Sequence, residues 1–96
     1  METISKEERI QGQQEYAERM AEYLPVLRTA AKLTQNQIAK RLAITRASVI
    51  NFENKKRRMS FSIYLALVLI FMENDDSKKL LESFELYNKS FMQKIL

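Results

Sequence analysis

The sequence predicts an all-α fold of five to six helices in a single domain, residues 1–96. Three observations predict it. Apolar residues recur at helical spacing along most of the chain. Ser, Thr and Asn residues stand where those periodic stretches begin, as N-caps do. One Gly and one Pro in 96 residues leave few sites for hairpin turns, and β-branched runs are absent. A chain of this length has room for one core and little more. It divides into an N-terminal helical extension (1–23), a central unit (24–72) and a C-terminal helix (73–96).

Ser5-Lys6-Glu7-Glu8 has the spacing of a capping box and predicts a helix from Lys6 to Glu22. Gly12 weakens that helix. Its apolar positions, Ile10, Tyr16, Met20 and Tyr23, form a thin stripe that needs a partner surface. Pro25 lacks an N–H and disfavours helical geometry at Leu24. A break or kink is therefore expected at Tyr23-Leu24, with a fresh helix from Pro25 to Ala31. One long kinked helix is the alternative.

The stretch Leu33 to Arg58 reads as two short helices, a tight turn and a basic run. Thr34 is a candidate N-cap, followed by Ile38, Ala39 and Leu42 at helical spacing. Ala43-Ile44 breaks the pattern. Thr45 caps a second helix, with Val49 and Phe52 as its apolar contacts. Two helices this short and this close cross steeply, as in a helix-turn-helix. On the second, Arg46, Ala47, Ile50 and Asn51 fall within an arc of roughly 140°. Ser48, Val49, Phe52 and Glu53 fill the opposite side. The first arc combines a fork donor, a small residue, a branched apolar and a bidentate amide, the types that read base edges in a major groove.

The stretch Leu24 to Phe71 resembles the DNA-binding domain of lambda- and 434-type phage repressors and the wider Cro/C1-type (XRE) bacterial regulators. The resemblance lies in Leu27-Arg28, Leu33-Thr34-Gln35, Ile38-Ala39, Leu42-Ala43-Ile44-Thr45, Ser48-Val49 and Phe52-Glu53-Asn54. It covers about half the chain. It implies a lambda-repressor-like fold with extra N- and C-terminal helices. By position it implies Arg46, Ala47 and Asn51 as base readers; Ile50 is added from the helical wheel. It implies a phosphate contact at Gln35 and an ion pair between Arg28 and Glu53, for which two independent surface charges are the alternative. The family usually has glycine where this chain has Ala43. A left-handed residue there costs alanine about 1 kcal/mol, which predicts a distorted turn.

The charge distribution points the same way. Residues 1–23 carry three Lys/Arg against six Glu, a net −3. Residues 24–58 carry nine against Glu53 alone, a net +8, and residues 59–96 four against five, a net −1. A basic segment of that density is the footprint of a phosphate-binding surface, or else a solvated face. Lys55, Lys56, Arg57 and Arg58 follow the second helix directly and read as phosphate contacts, as does Thr45 beside its capping role.

Ser60 caps a helix from Phe61 to Met72, FSIYLALVLIFM, in which Ser62 is the one polar residue. It is too short to span a membrane, which takes about 20 residues. Apolar on every side, it asks for burial on every side, from the core on one face and a homodimer partner on another. Glu73-Asn74-Asp75-Asp76 is a connector with candidate caps. A last helix is expected from Ser77 to Lys94, with a stripe of Leu80, Phe84, Tyr87, Phe91 and Ile95. It is either a lid on the core or a dimerisation helix.

There is no Cys and no His, no glycine-rich phosphate loop and no clustered carboxylate pair, so no enzyme, cofactor or metal site is expected. Tyr16, Tyr23, Tyr64 and Tyr87 read as core or interface residues. Met1 to Glu8 is polar and lacks the apolar run of a secretory signal, which predicts a cytoplasmic protein. The leading functional reading is a sequence-specific binder of double-stranded DNA, a transcriptional regulator and repressor acting as a homodimer. The alternative is the antitoxin of a toxin–antitoxin pair, which would bind a protein toxin as well as its operator. A pure protein-interaction module is a further class.

Overall fold

In the computed structural model, α1 (Lys6–Ala30) is a 25-residue helix. At 1.5 Å per residue it spans about 37 Å, close to the 40 Å long axis of the molecule. The other elements are α2 (Gln35–Leu42), α3 (Arg46–Glu53), α4 (Phe61–Met72), α5 (Asp75–Ser83) and α6 (Lys89–Ile95). The structure describes residues 4–96, and those residues are all-α, with no strand among them. Met1 to Thr3 lie outside the described residues, and with them the start of the predicted extension 1–23 and of the polar stretch Met1 to Glu8.

There is no break at Tyr23-Leu24: α1 is the single long helix of the alternative reading and runs through Pro25. Proline's φ is already helical, so what is lost is one hydrogen bond and some steric ease, about 3 kcal/mol. Leu24 and Leu27 are both fully buried. Each contributes about 1.5–3 kcal/mol on burial, which offsets the loss. At its N-terminus Ser5 Oγ accepts from the Glu8 amide at 3.2 Å. The stripe differs from the expected one: Gly12, Ala17, Met20, Ala21, Leu24 and Leu27 are buried, whereas Ile10 is exposed.

The C-terminal region is two helices where the sequence predicts one from Ser77 to Lys94. α5 ends at Ser83, and Glu85 takes φ 52°. The Leu86 amide then donates to Leu81 O at 2.9 Å and the Glu85 amide to Glu82 O at 3.1 Å. That pair of bonds is a Schellman ending. It swings Leu86 into the core, where it is fully buried and its carbonyl accepts the Tyr64 hydroxyl at 2.5 Å. Asn88 then caps α6, accepting from the Phe91 amide at 2.9 Å. The buried apolar positions are accordingly Leu81, Leu86, Met92 and Ile95; of the predicted stripe Ile95 alone is among them, and Leu80, Phe84, Tyr87 and Phe91 are half-buried.

The last helix, α6, lies on the core as a lid within its own chain. α6 packs on α1, with Met92 and Ile95 buried and the Gln13 amide donating to Ile95 O. The two helices meet at Gly12. A Cβ there would lie 3.0 Å from Ile95 Cγ2 and 3.3 Å from the Phe91 ring. The glycine thus permits close approach of α6, a use that outweighs its poor helix propensity.

α4 lies against α1, α2 and α5. Tyr64, Leu67, Val68, Ile70 and Phe71 are buried. The helix is not covered on every side: Leu69 is 67 % exposed, and Leu65 and Met72 beside it are half-buried. None of the described helices is long and apolar enough to cross a membrane.

Candidate nucleic-acid interface

Thr34 begins α2 with a full capping box. Its hydroxyl accepts from the Gln37 amide at 3.1 Å, and Gln37 Oε1 accepts from the Thr34 amide at 2.9 Å. α2 ends at Ala43, which adopts φ 57° and ψ 42°. These are near-ideal left-handed values, so the turn keeps its regular geometry where distortion was expected. The Ile44 amide closes the turn on Ala39 O at 3.0 Å. Thr45 caps α3, accepting from the Ser48 amide at 3.1 Å, with its hydroxyl 2.9 Å from Ser48 Oγ.

Val49 and Phe52 are buried and fix the inner side of α3. That leaves Arg46 and Ala47 exposed and Ile50 and Asn51 half-buried on the outer side. The predicted arc is therefore the side of α3 that faces away from the core. Among the described residues, the Asn51 side-chain amide takes no hydrogen-bond partner, so it remains uncommitted at the surface.

Arg28 and Glu53 are paired. Arg28 Nε donates to Glu53 Oε2 at 2.8 Å, and the side chains are only 19 % and 7 % exposed. Arg28 Nη1 also donates to Leu33 O at 3.2 Å. Gln35 joins the pair: its Nε2 donates to Glu53 Oε1 at 3.0 Å, and its Oε1 accepts from Arg46 Nη2 at 3.4 Å. The side chain assigned to a phosphate from the sequence is thus also the link between Glu53 and Arg46. Around it opens a shallow cleft of about 880 Å³, lined by Arg28, Lys32, Thr34, Gln35, Asn36 and Arg46 among others. The first turns of α2 and α3 and three cations share that surface.

The basic run does not form one continuous face. Lys55 takes φ 59° and ends α3, with the Lys56 amide on Asn51 O at 2.8 Å. Arg57 turns back across α3, donating to Ser48 Oγ at 3.0 Å, with its guanidinium 5.6 Å from the Phe52 ring centroid. Arg58 turns the other way, 3.8 Å from Glu18 of α1. Lys32 and Asn36 were not singled out in the sequence, although Lys32 belongs to the densely basic segment. Arg41 Nη2 donates to both Glu73 carboxylate oxygens, at 2.8 and 2.9 Å, which ties the end of α2 to the end of α4.

No family model matches the chain, and no curated protein or solved structure matches it either.

Proposed function

We propose that this protein is a cytoplasmic, sequence-specific DNA-binding regulator of the Cro/C1 (XRE) type, acting as a repressor, which reads an inverted repeat as a homodimer. The observation that carries the reading is the meeting of Arg46, the first residue of α3, with Gln35, the first residue of α2, on a surface also lined by Arg28 and Lys32. Helix starts offer unpaired N–H groups to phosphate. The outer side of α3 offers Arg46, Ala47, Ile50 and Asn51 to base edges. Gln35, Thr45, Lys55, Lys56 and Arg57 supply the phosphate contacts, and Arg58 joins them only when it leaves Glu18. Selection of bound duplexes from a random-sequence pool tests this. A palindromic consensus is expected; a pool without enrichment would overturn it.

One such helix reads only a few base pairs, and two related by a two-fold axis about 34 Å apart reach successive major grooves. The exposed Leu69, with Leu65 and Met72 at helical spacing beside it, is the apolar surface that supports pairing through α4. Leu69→Glu should shift the sedimenting species to monomer and weaken operator binding; an unchanged sedimentation coefficient removes α4 from the interface. The antitoxin alternative drew on a terminal helix held free for a toxin, and α6 is instead seated on α1.

A further inference from the structure

Glu15, Glu18 and Glu22 recur at spacings of three and four, which places them on one side of α1. They form one wall of a cleft of about 560 Å³ whose other wall is the loop 55–58. Buried Ala21 and Met59 lie at its base, so both walls are anchored in the core. Arg19 also reaches this cleft, but its guanidinium donates to Phe84 O at 2.6 Å and lies 5.6 Å from the Tyr16 ring centroid. Arg57 is turned onto α3. The cation drawn toward the glutamates is Arg58, 3.8 Å from Glu18, with both side chains more than half exposed.

We propose that Glu15, Glu18 and Glu22 act as an intramolecular guard on the basic loop, holding Arg58 away from DNA phosphates and so limiting the sequence-independent share of the affinity. The proposal rests on the DNA-binding reading above. Sequence-independent binding is set by the number of phosphates that cations neutralise. Carboxylates across the cleft from the loop are its internal counterions, and a phosphate approaching from the α1 side meets their negative field. The pairing is exposed and weak, so it competes with phosphate without closing the loop permanently. The outer side of α3 is untouched, and base readout keeps its full weight.

The test measures binding to a fluorescent random-sequence duplex over a range of salt concentrations. The triple variant Glu15→Gln, Glu18→Gln, Glu22→Gln is compared with a control triple, Glu7→Gln, Glu82→Gln, Glu85→Gln. All six positions are exposed, and the control positions do not line the cleft. Both triples change the net charge equally. Circular dichroism confirms that each is folded. The cleft triple should steepen the slope of log affinity against log salt by about one unit, the signature of one further phosphate contact. Adding Arg58→Ala to it should restore the wild-type slope. If the two triples behave alike, or if Arg58→Ala leaves the steeper slope in place, the guard is overturned. A wild-type protein that binds no duplex at low salt overturns the DNA reading and the guard together, which separates that failure from the first.

Discussion

Glu53 receives Arg28 Nε on one carboxylate oxygen at 2.8 Å and Gln35 Nε2 on the other at 3.0 Å. A single side chain in the last turn of α3 therefore holds the end of α1 and the start of α2. Arg28→Met would leave a 7 %-exposed carboxylate with only the glutamine amide as side-chain donor. Breaking such a pair from one side costs about 3 kcal/mol, whereas replacing both partners with apolar residues recovers most of the loss. Urea unfolding should show the large loss in Arg28→Met and a much smaller one in Arg28→Met/Glu53→Leu. A single-variant loss below about 0.5 kcal/mol, the range of ordinary surface changes, would show the pair to be structurally idle.

Ala43 holds a left-handed conformation at φ 57° without a glycine's freedom. Its methyl group is strained there by about 1–2 kcal/mol, and glycine would remove that strain while adding some entropy to the unfolded chain. Ala43→Gly should therefore raise stability, by about 0.5–1 kcal/mol, and leave the positions of α2 and α3 unchanged. Thermal unfolding checks this. A lower midpoint would mean that the turn tolerates alanine without strain.

Burial pushes the Tyr64 hydroxyl well above the ordinary tyrosine range, with Tyr16 and Tyr87 adding to the shift. The hydroxyl is kept neutral as a donor to Leu86 O. Because its folded pKa exceeds its unfolded one, its contribution to stability is complete below about pH 10. That contribution declines as the pH rises further, since only the unfolded chain then ionises readily. Tyr64→Phe should cost about 1 kcal/mol at neutral pH and should flatten the alkaline decline. Parallel denaturation series at neutral pH and above pH 10 measure both. An alkaline decline of unchanged steepness would show that other groups carry it.

The helix starts marked by Ser5, Thr34, Thr45 and Ser60 and the stops near Ala31, Ala43 and Met72 were legible in this sequence, whereas the stop at Ser83 and the new start at Asn88 were not. Ser5, Thr34, Thr45 and Ser60 each cap the helix expected of them, because a side-chain oxygen at an N-cap is a local and nearly sufficient signal. The stops depend on backbone conformation. Lys32, Ala43, Lys55 and Glu85 all take positive φ in Schellman-type endings, where glycine is the usual marker. At Glu85 nothing in the residue type announces the break, and the periodic stripe runs straight across it. The break becomes explicable only once Leu86 is seen buried under Tyr64. Gly12 was legible as a residue that weakens a helix, but its use against Ile95 is a contact between residues far apart in sequence. At the proposed interface, the arc on α3 followed from helical spacing. The diverging directions of Arg57 and Arg58 did not, because they depend on where Ser48 and Glu18 lie in the folded molecule.

Arg46 is held by a chain of contacts that begins at a part-buried ion pair. Glu53 fixes the Gln35 amide, and Gln35 Oε1 lies 3.4 Å from Arg46 Nη2. An exposed arginine otherwise samples many rotamers, and binding must then overcome the entropy of ordering it. Gln35 lowers that cost by keeping the guanidinium near the first turn of α3. On a selected operator, Arg46→Ala should lose about 1–3 kcal/mol and relax the preference at one base position, most plainly a guanine. Gln35→Ala should also weaken the operator, through loss of the phosphate contact proposed for it and of this restraint. The losses should not add, because once Arg46 is gone its restraint has no value. Competition titrations of the two single variants and the double variant, each against operator and random duplex, supply the cycle. Equal losses on both duplexes for Arg46→Ala would make this residue a phosphate contact. Strict additivity would mean that Gln35 and Arg46 act separately on DNA despite their contact in the free protein.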